Sequence, residues 1–315
     1  MKITVTDGYT LNPGDLSWEQ IRKFGTLSVH DRTESSKLID TCIDSEIILT
    51  NKVAFTRETV FRLPKLKLIS VLATGYNVID VNAAREREIA VCNVPAYGTA
   101  SVAQHVFALL LELTNHVGLN SKAVAEGKWQ NSLDFCFTEK PVMEIAGKVL
   151  GIVGMGHIGE QVACIGRAFG LKVIYHNRSR KNNTLAEYRS LNELFEESDF
   201  ISLHCPLSAD NKEFVKSSLL SKMKASAYLI NTARGQLINE QDLAKALNEG
   251  IIAGAALDVL SAEPPDESNP LLKAKNCVLT PHTAWISKEA RQRIMQVTFE
   301  NIKAFLADNP INQVN

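Results

Sequence analysis

The run Val149-Leu150-Gly151-Ile152-Val153 followed by Gly154-Met155-Gly156-His157-Ile158-Gly159 constrains this 315-residue chain more than any other segment. An apolar strand leads into a Gly-x-Gly-x-x-Gly turn, and a helical stretch over Glu160 to Phe169 follows. In that context glycine permits the tight turn, lets the backbone approach a pyrophosphate, and allows close helix–strand packing. The helix start adds unpaired N–H groups and a partial positive charge. The next strand ends at Asn177, where a unit that reads a free ribose 2′-hydroxyl usually carries Asp or Glu. Arg178, Ser179, Arg180 and Lys181 follow. An uncharged residue beside arginines suits a 2′-phosphate, so NADP(H) is favoured and NAD(H) stays possible. The alternative is a solvated basic loop.

Alternating β-branched and amphipathic runs argue for parallel sheets with helices on both faces. Strand signals precede the fingerprint at Ile3–Val5, Leu27–Val29, Ile47–Leu49, Leu68–Val71 and Ala90–Cys92. They resume at Val149–Val153, Val173–Tyr175, Phe200–Leu203, Ala227–Asn231, Gly254–Leu257 and Val278–Thr280. The expected fold is α/β, with two Rossmann-like or flavodoxin-like domains, parallel sheets and a cleft between them. The boundaries are 1–100 plus 287–315 for a substrate domain and 101–286 for a dinucleotide-binding domain. Helical spacing from Ser101, read as an N-cap, to about Glu126 provides one crossing, and a helix starting near Ser287 provides the other.

A net charge of −1 gives no polybasic stripe for nucleic acid. No apolar run reaches the roughly 18–20 residues that span a bilayer. Neither nucleic acid nor membrane is an expected partner. The polar start Met1–Thr6 reads as a strand rather than a secretory signal. Six cysteines without CxxC spacing read as mostly buried free thiols of a cytoplasmic protein, with no metal site.

Three stretches close successive strands, where open α/β sheets bind ligands. Arg234 in Asn231-Thr232-Ala233-Arg234-Gly235 can grip a carboxylate through two N–H bonds, or can pair with a surface acid. Asp258 and Glu263 lie in Leu257-Asp258-Val259-Leu260-Ser261-Ala262-Glu263-Pro264-Pro265, where Glu263 is alternatively a plain loop carboxylate. His282, in Pro281-His282-Thr283-Ala284-Trp285, is a proton carrier suited to neutral pH or a structural histidine. Arginine, glutamate and histidine together beside a dinucleotide turn form an oxidoreductase constellation.

With these motifs, with Ala73-Thr74-Gly75-Tyr76-Asn77 and with Ser101-Val102-Ala103-Gln104-His105, the chain resembles the D-isomer-specific 2-hydroxyacid dehydrogenases over essentially its whole length. Asp7–Asp15 and Leu49–Lys52 resemble the glycerate dehydrogenase (hydroxypyruvate reductase) branch. The resemblance implies hydride transfer between the nicotinamide and C2 of a small 2-oxo acid, hydroxypyruvate or glyoxylate. It makes His282 the acid/base, Glu263 its partner and Arg234 the substrate anchor, helped by the Ala73–Tyr76 loop. It sets Gly154 to Gly159 on the pyrophosphate, Asn177, Arg178 and Ser179 at the adenosine ribose, and Cys205 and Pro206 along the cofactor. Thr232, Ala233, Asp258 and Ala284 fall near the nicotinamide, and the resemblance implies a homodimer. D-lactate is an alternative substrate. A different class, the dinucleotide-sensing C-terminal-binding-protein corepressors, also resembles this family and shares a tryptophan after the histidine, here Trp285.

Overall fold

The computed structural model describes residues 1–182 and 186–315. The chain divides into two compact units, Met1–Gly98 with Ile286–Asn315, and Thr99–Trp285.

The first unit holds Lys2–Val5 (β1), Thr26–Val29 (β2), Ile47–Thr50 (β3), Leu68–Val71 (β4) and Ala90–Cys92 (β5), ordered β2-β1-β3-β4-β5 with every pair parallel. Every residue of β3 and β4 is buried, as strands covered on both faces require. The helix Lys288–Leu306, capped by the Ser287 hydroxyl, packs on β4. Its buried Ile294, Thr298, Asn301 and Ile302 recur at helical spacing. One ion pair here was not legible in the sequence. Arg291, 7% exposed, donates at 2.7 Å to each Asp15 carboxylate oxygen and also to the carbonyls of Leu11 and Ile286. The guanidinium holds the Asp15 carboxyl below its ordinary value.

The second unit holds Val149–Val153 (β6), Lys172–His176 (β7), Glu187–Tyr188 (β8), Phe200–Leu203 (β9), Tyr228–Asn231 (β10), Gly254–Leu257 (β11) and Cys277–Leu279 (β12). Their order is β12-β11-β10-β9-β6-β7-β8, again wholly parallel. Alternation along the strands splits the core in two. Val153, Ile201, Leu203, Leu229 and Leu257 face one layer of helices, whereas Leu150, Ile152, Phe200, Ile230 and Ala256 face the other. Burying each large side chain of this kind contributes about 1.5–3 kcal/mol. The strand order reverses between β6 and β9, which makes their carboxyl ends the switch point where ligands bind.

Several local readings change. The stretch 101–126 is two helices, Thr99–Asn115 and Val117–Ala125, parted at His116, whose φ of 51° is left-handed. Ser101 lies in the first turn rather than at the cap, and the helix starts with the second unit instead of crossing into it. The fingerprint helix begins at His157, three residues before Glu160, because Gly156 is its N-cap. The edge strand β8 is too short to leave a sequence signal. Only Cys42 and Cys92 are fully buried; Cys205 and Cys277 are partly so, and Cys136 and Cys164 are exposed. Among the described residues no helix is long and apolar enough to cross a membrane.

Candidate active site

The turn after β6 admits only glycine at two places. Gly154 has φ +103°, and a Cβ there would lie 2.4 Å from the Cys205 backbone nitrogen across the switch point. A Cβ on Gly159 would lie 2.3 Å from the Gly154 carbonyl oxygen. Gly156 differs: a Cβ would meet nothing within 4 Å, and no side chain caps the helix it starts. Open space in front of uncapped helix N–H groups fits the pyrophosphate of a dinucleotide. His157 is exposed at this opening and Ile158 partly so. Met155 is buried in the core, leaving only its backbone at the turn, where its N–H donates to Asn177 Oδ1 at 2.7 Å.

The Asn177 amide oxygen is therefore engaged by the fingerprint rather than directed outward. Of the cations that follow, Arg180 lies over the Tyr188 ring at 4.7 Å and Lys181 pairs with Glu160 at 2.7 Å. Arg178 and Ser179 are exposed. Arg178 meets no partner among the described residues.

Arg234, Glu263 and His282 follow β10, β11 and β12, three adjacent strands. His282 Nδ1 and Glu263 Oε2 are 2.5 Å apart. That contact fixes one ring nitrogen, while the other, Nε2, makes no hydrogen bond to the described residues. The Glu263 Oε1 atom accepts the Leu260 N–H at 3.2 Å. Arg234 is exposed and donates to the Ala233 carbonyl at 2.7 Å; no carboxylate of the described residues pairs with it. The surface ion pair is thus not what occupies this arginine. Its loop is braced by buried Asn231, which donates to the Arg234 carbonyl at 2.8 Å and accepts the Ala233 N–H at 3.0 Å. Thr232 adds a buried hydroxyl that has no hydrogen-bond partner among the described residues. Cys205 and Pro206 turn away from β9, with the Pro206 carbonyl accepting the Asn211 amide at 2.8 Å. Burial pushes the Cys205 thiol up to about 11.

Asp258 is only 1% exposed and looks inward. Its carboxylate accepts the Thr280 hydroxyl at 2.6 Å and the N–H groups of Thr283 and Ala284 at 2.8 and 2.9 Å. Its carbonyl accepts the His282 N–H at 2.8 Å. Burial alone would raise this carboxyl, yet the hydrogen bonds from His105, Thr280 and the two N–H groups outweigh it and hold it below the ordinary range. His282 has φ +54°, a left-handed conformation costly for a side chain of this size. The network around Asp258 fixes it there. Two members were given no role in the site by the sequence, where Ser101 reads only as a helix cap. Ser101 Oγ donates to the Ala284 carbonyl at 2.7 Å, and His105 Nε2 lies 3.1 Å from Thr280 Oγ1. They are four apart on one helix and so share a face. A polar pair at that spacing, in the first half of a helix whose second half is mostly apolar, was the available signal.

In the other unit, the Ala73–Tyr76 loop follows β4. The Thr74 hydroxyl donates to the Val94 carbonyl at 2.8 Å. The N–H groups of Thr74, Gly75 and Tyr76 meet no acceptor among the described residues.

A sequence model described as "D-isomer specific 2-hydroxyacid dehydrogenase, NAD binding domain" matches residues 107–284. The hydroxypyruvate reductase of Blautia hydrogenotrophica is 46% identical, with 100% of each chain covered. The glycerate dehydrogenase of Methylorubrum extorquens is 37% identical over 93% of this chain and 94% of its own. A solved acyclic imino acid reductase (Bsp5), in complex with NADPH and D-Arg, superposes with a TM-score of 0.88 at 36% identity, covering 100% of both chains. Fold and fingerprint define a nicotinamide-dinucleotide oxidoreductase. The chain belongs to the D-isomer-specific 2-hydroxyacid dehydrogenase family, enzymes that act on CH–OH donors.

Proposed function

We propose that this enzyme reduces hydroxypyruvate or glyoxylate to the D-2-hydroxy acid (glycolate in the second case), with NADPH preferred to NADH. The observation that carries the catalytic assignment is the 2.5 Å contact between His282 and Glu263, with the unpaired Arg234 at the neighbouring strand end. A nicotinamide held in this site would supply the hydride for C2. Glu263 holds Nδ1–H, which leaves Nε2 to give a proton to the forming alkoxide, or to take one in the reverse direction. Arg234 meets the carboxylate and the C2 oxygen, where negative charge builds. The Ala73–Tyr76 loop is a further carboxylate-binding element, supported by its three unengaged N–H groups, and its unit is assigned as the substrate unit. Among the dinucleotide contacts, the Gly154–Gly159 turn takes the pyrophosphate, with Cys205 and Pro206 alongside. Thr232 and Ala233 would line the nicotinamide, and Asp258 and Ala284 would brace the site from behind. Substrate identity rests on the hydroxypyruvate reductase and glycerate dehydrogenase relatives. The NADPH preference rests on unpartnered Arg178 and on the NADPH bound to the imino acid reductase. Free thiols suit a cytoplasmic setting.

We propose a homodimer formed through the second unit. Its segment 117–142 exposes Leu133 fully and Phe135 at 89%, beside a groove lined by Val117, Val124, Trp129 and Phe137.

The test is nicotinamide oxidation with hydroxypyruvate, glyoxylate, pyruvate and phenylpyruvate, each with and without added amine. Turnover of the first two without amine is expected. General acid–base help is worth about 10²–10⁴-fold, so His282→Asn should lower kcat by that order with a smaller change in KM. Turnover only with amine would move the substrate class to imino acids, and binding of cofactor without any turnover would favour a sensing protein.

A further inference from the structure

One acidic side chain outside the reacting trio fastens the loop that carries Glu263. Glu240 is the first residue of the helix Glu240–Asn248, which Asn239 caps. Glu240 Oε1 accepts the Ser261 N–H at 2.7 Å. Its Oε2 accepts the Ser261 hydroxyl at 2.8 Å and the Asn269 amide at 2.9 Å. From the Arg234 loop, Gln236 Nε2 donates to the Ser261 carbonyl at 2.7 Å. Gly235 touches the same segment so closely that a Cβ would lie 1.9 Å from the Leu260 carbonyl carbon. Ser261 is thus held by its N–H, its hydroxyl and its carbonyl, two residues before Glu263.

No helix or strand lies between Leu257 and Pro270. A segment without its own ladder of hydrogen bonds samples many conformations unless side chains fix it. Hydrogen bonds to a carboxylate are the strong kind, and a proton-transfer pair tolerates only about 0.5 Å of displacement. We infer that Glu240 is a positioning residue, which fixes Ser261 so that Glu263 Oε2 stays on His282 Nδ1. The inference rests on the catalytic reading of Glu263 and His282 given above. Glu240 itself carries no proton in the reaction. It fixes the segment that holds the carboxylate partner of the proton donor.

The experiment compares Glu240→Ala and Glu240→Gln in the wild-type and Glu263→Gln backgrounds. Hydroxypyruvate kcat and KM, NADPH affinity by fluorescence titration, and thermal midpoint are measured. Misplacement of a reacting group costs up to about 10²-fold, so Glu240→Ala should lower kcat by about 10–100-fold while KM and NADPH affinity move by less than about threefold. Glu240→Gln keeps an acceptor for the Ser261 N–H and should recover most of the loss. In the Glu263→Gln background Glu240→Ala should cost less than about twofold, because coupled residues are not additive. An equal loss in both backgrounds overturns the inference, as does a lowered thermal midpoint with kcat intact. Wild-type kcat in Glu263→Gln and His282→Asn would instead sink the catalytic reading. Impaired Glu263→Gln beside wild-type Glu240→Ala would sink only the positioning role.

Discussion

Three cations follow β7, and the structure gives two of them other work. Arg180 is stacked on Tyr188, and Lys181 is paired with Glu160. Arg178 alone is left for an anionic ligand among the described residues. A charge-assisted hydrogen bond is worth about 1.5–3 kcal/mol. Arg178→Ala should therefore lower the ratio of kcat/KM for NADPH over NADH by about 10–100-fold, with the NADH value nearly unchanged. Steady-state kinetics with both cofactors checks it, and an unchanged ratio would remove Arg178 from cofactor selection. At this scale the sequence was informative where chemistry depends on residue type. The basic cluster was visible as a cluster, and Arg234, Glu263 and His282 stood out by their places after predicted strands. The partner of each cation was not visible. The stack and the ion pair join residues well apart in the chain, and spacing alone does not encode which of them meet.

At the scale of elements, the turn that bears His282 depends on a strand end two segments away. Asp258, just past β11, collects N–H groups from Thr283 and Ala284, and the helix Thr99–Asn115 contributes Ser101 and His105. Asp258 looked like a cofactor contact from its position in the chain. Its burial assigns the carboxylate to the inside of the turn instead. The consequence for stability has a definite sign. A carboxyl whose folded value lies below the ordinary one, about 3.9, contributes stability that is fully present above that value. The contribution is lost as pH falls through the depressed folded value. Asp258→Asn should lower stability at pH 7, because an amide offers one acceptor oxygen where several donors converge. It should also flatten the fall in stability below about pH 4. Urea unfolding of both proteins between pH 3 and 7 measures this, and parallel curves would mean that Asp258 does not supply the acid-sensitive term. Strands were the most legible elements, since β-branched runs announce them. Helix ends were less so: the break falls at His116, a left-handed residue that is neither proline nor glycine.

At the scale of the whole molecule, the mid-chain place of the fingerprint already implied two α/β units, because about 150 residues before it needed a core of their own. Assembly is different, since an interface leaves no period in the sequence. The structure offers a physical cue in the second unit. Fully exposed Leu133 and largely exposed Phe135 project beside a groove lined by Val117, Val124, Trp129 and Phe137. Large apolar side chains left this exposed are the kind of surface that protein–protein contacts cover. The proposed dimer sets this segment against its own copy across a twofold axis, each copy filling the groove of the other. The two side chains would then be buried at the centre of the contact, where aromatic and apolar anchors carry most of the binding energy. Replacing both Leu133 and Phe135 by Asp would leave two unpaired carboxylates per chain in that interface. The wild-type enzyme is expected to sediment at twice the 34.7 kDa chain mass. The double variant should sediment as a single chain, with far-ultraviolet circular dichroism unchanged. A wild-type enzyme that sediments as one chain at micromolar concentration would rule the patch out as a dimer contact. A variant that stays dimeric would place the interface elsewhere on the unit.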